Sequence, residues 1–205
     1  MNQLLASLRH NVGGLVRFSG RDSRRLFWPW AIFVVAGATL VLTAVLVPLM
    51  ATTVGRMQQF AAEHPDQADV VSTPTSYQVT IHGSHPELFP PMDDFILGCA
   101  IGCAVIVLLL AASVVRRLHD AGRTGWWGLP PTLCLAAGIF IFRRISASFS
   151  HEHFDHRLFL AGALTNLVYL GSLVLLIALL AQPGQAEANP HGTAPPKPGI
   201  DDAAA

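Results

Sequence analysis

The sequence predicts an all-α fold, a polytopic transmembrane helical bundle, and three observations predict it. Hydrophobic residues make up 52% of the 205 residues against 13% charged, and the mean hydropathy is +0.46, a balance too apolar for a water-soluble domain of this size. Four runs, residues 28–50, 95–115, 126–142 and 158–181, contain no charged side chain. Arginines crowd the ends of those runs, whereas the acids between the first two runs leave the formal net charge at zero only when the whole chain is summed. Four helices are therefore expected, or three if the run 126–142 re-enters rather than crosses.

Leu4, Leu5, Leu8, Val12, Leu15 and Val16 recur at near-helical spacing with Arg9, His10 and Arg17 among them. That pattern suits a short N-terminal interfacial helix. Arg21, Arg24 and Arg25 then precede Phe27, Trp28 and Trp30, the order of basic and aromatic groups expected on a cytoplasmic membrane surface. Pro29 is expected in the first turn of the helix that follows, where its missing N–H costs nothing.

Residues 28–50 are long enough to span the ~30 Å hydrocarbon core at about 1.5 Å per residue. Residues 51–94 carry six acids and only Arg56 as a fixed positive charge, so the positive-inside bias places them as an extracytoplasmic loop. Within that loop the alternation of Tyr77 to His82 ahead of Gly83 predicts a short hairpin strand. The second run, 95–115, contains Gly98 and Gly102 in a GxxxG pair, a flat side for helix packing, first within the chain and second against another copy.

After two crossings the string Arg116, Arg117, Leu118, His119, Asp120, Ala121, Gly122, Arg123 returns to the side of the N-terminus, followed by Trp126 and Trp127 as headgroup-level anchors. Opposite charges on the same side suggest pairing of Asp120 with Arg21 or Arg24, and of Asp22 with Arg116 or Arg117. The remaining arginines of this cluster suit anionic lipid phosphates. The run 126–142 is short, and Arg143 and Arg144 follow it; crossing is expected, with those arginines reaching outward.

His151, His153 and His156 in the HEHFDH stretch are candidate metal ligands, but the spacing fits no standard site, and the segment is read as a polar loop. Residues 158–181 form the last run, with Asn166 its most polar member. No Asp, Glu, Lys, Arg or His lies within any run, which weighs against proton-coupled transport. Residues 182–205, rich in Pro, Gly and Ala, are expected to form a flexible tail. Cys99, Cys103 and Cys134 all fall in apolar runs and are read as buried thiols rather than disulfide halves.

Three motifs resemble the bacterial inner-membrane family catalogued as domain of unknown function 805. Its members pair a GRxSRxxYW string with RRLHDxGRSGWW and close on an NxYGP-like tail. Here Gly20, Arg21, Asp22, Ser23, Arg24, Arg25, Leu26, Phe27 and Trp28 supply the first, with Phe27 in place of Tyr. Arg116 to Trp127 supplies the second with Thr124 in place of Ser. The tail keeps Gly184, Asn189 and Gly192 but lacks the Arg-Tyr element. The resemblance implies an inner-membrane protein of multi-pass architecture, and no substrate; the cytoplasmic N-terminus follows from the charge bias. The functional expectation is a membrane scaffold or a partner- or lipid-binding protein; the alternative is a small oligomeric channel or transporter. Neither an enzymatic role nor a cofactor is expected. The expected partners are membrane lipids and another membrane protein or a second copy, not nucleic acid.

Overall fold

The computed structural model describes residues 2–73, 75–83, 85–148 and 155–193. It is mostly helical, in the order α1 (Asn2–Gly13), α2 (Arg24–Glu63), β1 (Ala68–Thr73), β2 (Ser76–Ile81), α3 (Met92–Asp120), α4 (Leu129–Ser148) and α5 (His156–Ala181). Short 3-10 turns at Pro86–Leu88 and Gly125–Gly128 precede α3 and α4. Four helical stretches are long and apolar enough to cross a membrane: α2, α3, Gly125–Ser148 and α5. The third is the least apolar, its best window having a mean hydropathy of 1.4 against 2.8 in α3, but its 24 residues are sufficient for the hydrocarbon core. Apolar side chains face outward along these helices, with Leu40, Leu108 and Leu160 each about two-thirds or more exposed (71%, 70% and 69%). Such a surface suits lipid rather than water.

The chain forms two compact units, Gly37–Cys99 on the one hand and Met1–Ala36 with Ala100–Ala205 on the other. In the first, the segment expected as a loop from residue 51 opens as helix, because α2 continues to Glu63. No proline or glycine follows Gly55 until Pro65, and Met57, Gln58, Gln59, Ala61 and Ala62 favour helix. The strand expected at 77–82 is β2, and its antiparallel partner β1 pairs from Ala68↔Ile81 to Thr73↔Ser76. β1 escaped the sequence reading because Asp69, Ser72 and Thr73 leave little apolar alternation.

In the second unit the start of α2, the end of α3 and the end of α5 converge. Phe27, Ala31, Leu118, Leu176, Leu179 and Leu180 form the core, with Trp28, Leu110 and Val114 packed on it. Trp30 Nε1 donates to the Leu109 carbonyl at 3.2 Å, fixing the two helices at one height. Helix α2 starts at Arg24, after Ser23 accepts from the Leu26 and Phe27 amides. Pro29 consequently sits one turn later than expected, and the Arg25 carbonyl loses its helical donor at the exposed end. Helices α4 and α5 pack closely at Gly162, where an added Cβ would stand 3.3 Å from Ile141 Cγ2 and Ile145 Cδ1. α4 runs past Arg143 and Arg144 to Ser148, farther than the expected boundary at 142, since arginine is a good helix former. Asp155 caps α5, its Oδ1 accepting from the amides of Arg157 (2.9 Å) and Leu158 (3.2 Å).

A Cβ built on Gly98 or Gly102 meets no described atom within 4 Å. Among the described residues, nothing is seated against the helix at these two positions. Cys99, Cys103 and Cys134 remain thiols.

Candidate functional site

The site grows from the last two turns of α3. The apolar run of α3 ends at Val115, and the next residues, Arg116 and Arg117, project their guanidinium groups into protein rather than solvent: they are 3% and 0% exposed. The helix stops in a Schellman arrangement. Arg123 N donates to Leu118 O at 2.8 Å, Gly122 N donates to His119 O at 3.0 Å, and Gly122 takes a positive φ of 69°. Gly125 then passes so close to α3 that an added Cβ would lie 2.9 Å from Val115 Cγ1 and Cγ2. The glycines of the motif thus turn the chain sharply and hold the turn against the helix.

Arg116 closes one half of a charge network. Its Nε donates to Asp22 Oδ2 (2.7 Å), its Nη1 to the carbonyls of Gly14 (2.7 Å) and Arg17 (2.6 Å), and its Nη2 to Asn11 Oδ1 (2.9 Å). Asp22, 1% exposed, also takes His10 Nε2 on Oδ1 at 2.8 Å, and its backbone amide donates to the Arg116 carbonyl at 3.1 Å. Gly14 and Arg17 lie just beyond the C-terminal end of α1, where carbonyls lack helical donors. A guanidinium is the natural group to satisfy them.

The other half centres on Asp120. Arg21 donates to its Oδ1 through Nε (3.2 Å) and Nη2 (3.1 Å), while Arg117 Nη1 bonds Oδ2. Arg117 also donates through Nε to the Leu180 carbonyl at 2.9 Å and through Nη2 to the Gln182 carbonyl, at the C-terminal end of α5. Arg21 donates to the carbonyls of Gln185, Glu187 (2.7 Å) and Gly192 (3.3 Å). Three guanidinium groups thus face two carboxylates, and backbone carbonyls at helix ends and in the strap 182–193 offset the excess positive charge. Among the described residues no buried side-chain nitrogen or oxygen lacks a hydrogen bond. A complete set of partners matters here, since a buried charge left unpaired is expensive.

The strap departs from the flexible tail expected from residue 182; residues 194–205 lie outside the described part of the chain. Gln185 N donates to Asp120 O at 2.9 Å, and Asn189 Nδ2 donates to the His119 carbonyl at 2.9 Å. The His119 and His191 rings stack face to face, centroids 3.8 Å apart and 2° from parallel. At Gly184 an added Cβ would run into the Asp120 carboxylate, so the strap's close approach requires glycine. Composition points to mobility, but the main-chain contacts of Gln182, Gln185, Glu187 and Gly192 have no signature in residue type.

Of the pairings the sequence suggested, Arg21–Asp120 and Arg116–Asp22 form, and Arg117 joins Asp120 as well. Arg24 and Arg123 stand apart: both are exposed, as are Arg9, Arg17 and Arg25. Trp126 is 75% and Trp127 40% exposed. The donors of Arg21, Arg116 and Arg117 are thus taken by protein, which leaves the exposed arginines as the remaining members of the set expected at lipid phosphates. Ser7, His10 and Asn11 are the side chains that sequence reasoning missed; Ser7 and Asn11, four apart and so on one side of α1, were the available signal. A cleft of about 120 Å³ opens beside them, lined by His10, Arg17, Ser19 and Asp22 among others. His151 and His153 lie outside the described residues, and His156 is the first residue of α5. No cluster of metal-ligating side chains occurs among the described residues.

No curated protein and no solved structure matches the chain. A family model does, described as protein of unknown function (DUF805), over residues 15–193. The match takes in Arg21, Asp22, Arg116, Arg117, Asp120 and the strap, whereas His10, Asn11 and Gly14 precede it. With the lead-in string, the arginine-rich turn and the closing segment meeting at one buried cluster, the chain belongs to the DUF805 family.

Proposed function

We propose that this is a multi-pass protein of the bacterial inner membrane, with its N-terminus and the network on the cytoplasmic side, acting as a scaffold that gathers acidic phospholipid and a membrane partner. The observation that carries this reading is the division of the arginines. Arg21, Arg116 and Arg117 are consumed by Asp22, Asp120 and carbonyls, and so hold α1, α2, α3 and the strap together. Arg24, Arg25 and Arg123 flank the same cluster in sequence and remain exposed, next to the exposed Trp126 and Trp127. Arginine with tryptophan at the end of apolar helices is the chemistry of an anionic headgroup zone, and each such charge contributes about 1 kcal/mol there. The clamp positions the charges, and the charges gather lipid. The reading includes no chemical reaction.

Two measurements test it. Single cysteines at Arg123 and at Tyr77 should react from opposite faces of the membrane, the former only in inverted vesicles. Native mass spectrometry should show phosphatidylglycerol retained over phosphatidylcholine, and a variant with Arg24, Arg25 and Arg123 changed to Gln should lose that preference without unfolding. Retained preference in the variant would contradict the lipid assignment.

The channel reading draws on one observation, the unfilled side at Gly98 and Gly102. Ion flux through proteoliposomes, abolished by Gly102→Leu, would favour it over the scaffold.

A further inference from the structure

Helix α1 is docked the opposite way round from an amphipathic helix on a water-soluble protein. Its polar residues Ser7 and Asn11 are buried at 0% and 1% exposure, while Leu5 and Val12 are 53% and 57% exposed. Ser7 Oγ donates to the Leu26 carbonyl at 2.6 Å, and Asn11 Nδ2 reaches the same oxygen at 3.1 Å. Asn11 Oδ1 receives Arg116. Protein contact accordingly uses the polar stripe and leaves leucine and valine uncovered.

At about 100° per residue, Ser7 and Asn11 define one side of α1, and Leu5, Leu8 and Val12 a second side roughly 110° round from it. Ala6, Arg9 and Gly13 occupy the remaining third. A helix lying in the plane of a membrane beside a bundle needs three such sides: one for the protein, one for acyl chains and one for water. The docking partners set the depth. Arg116 is the first charged residue after the apolar run of α3, and Leu26 immediately precedes the aromatic start of α2. Both therefore mark the level at which spans leave hydrocarbon. Exposed Arg9 stands on the next side round from Leu5, Leu8 and Val12, and exposed Arg17 follows the helix in sequence.

We infer that α1 is an interfacial helix whose Leu5, Leu8 and Val12 side enters the acyl boundary of an acidic phospholipid leaflet, so that the occupant of the exposed apolar face is lipid. This rests on the proposed membrane location and adds a specific contact surface to it. Exposed apolar side chains on a docked helix would otherwise be an aggregation liability; in lipid they contribute to membrane attachment in proportion to the area covered.

The test uses the full chain with Cys99, Cys103 and Cys134 changed to Ser and one new cysteine at Leu5, Ala6 or Val12. Each is labelled with an environment-sensitive NBD fluorophore and reconstituted in phosphatidylglycerol–phosphatidylcholine vesicles that are washed with carbonate. Labels at 5 and 12 are expected to be quenched several-fold more by lipid-borne spin labels than by aqueous iodide, with the order reversed at 6. Equal iodide quenching at all three sites would overturn the inference. Labels at 5 and 12 shielded from both quenchers would also overturn it, in favour of a second copy or another protein. Retention after the carbonate wash in either failing case would leave the membrane location standing, whereas loss of protein in the wash would sink both.

Discussion

Asp120 is the residue on which most partners depend, since it faces Arg21 and Arg117 together at 3% exposure. Asp120→Ala leaves two guanidinium groups against each other without a counter-charge. The expected loss is about 3–5 kcal/mol, the cost of breaking a buried pair rather than the net worth of the pair; a detergent-resistant unfolding titration would measure it. Gly184→Ala is expected to destabilise for a different reason, the collision of its Cβ with the same carboxylate. Gly138→Ala, in α4 with nothing within 4 Å of the added Cβ, is the control and should stabilise by about 0.5–1 kcal/mol. The His119–His191 stack adds a pH dependence. Burial first, and then the neighbouring His191, hold the His119 imidazole below its ordinary value, so the folded strap resists protonation there; the contact is intact at neutral pH and above and is lost as the pH falls below the ordinary histidine range. Limited proteolysis within residues 182–193, compared at pH 8 and pH 5.5, reads this directly; equal cleavage at both would argue against a role for the stack.

At the scale of elements, the strap and α1 act as two clasps on the same helix end. Truncation after Ala181 removes the carbonyls of Gln182, Gln185, Glu187 and Gly192 from Arg117 and Arg21 and should lower the melting temperature by several degrees. The four apolar runs, the N-terminal helix and the hairpin strand were all legible from residue type, because lipid imposes a length and hairpins impose alternation. Helix ends were less so: α2 overruns its apolar part to Glu63 and α4 passes Arg143 and Arg144, since helix propensity continues where hydropathy stops. The strap was not legible, because its contacts are made by main-chain carbonyls, which every residue carries. The Arg–Asp pairs were readable as charge complementarity between two motifs, but their burial was not. Only the polar Ser7 and Asn11, out of place in α1, hinted that something charged lay beneath.

For the molecule as a whole, three motifs far apart in sequence become one object. Arg21 and Asp120 are separated by 99 residues, and Arg21 and Gly192 by 171, yet all three meet. In a membrane the apolar surfaces of helices gain little from leaving lipid, so buried polar contacts carry more of the burden of choosing one arrangement. Matching charges on segments distant in sequence provide such a choice, because a wrong pairing strands a guanidinium. The central claim is that Asp22 and Arg116 act as one unit joining α1, the lead-in to α2 and the end of α3. A double-mutant cycle on Asp22→Asn and Arg116→Gln, read by unfolding free energy of the reconstituted protein, tests it most directly. The account predicts that the two losses together fall short of their sum by about 2 kcal/mol or more; strictly additive losses would contradict it.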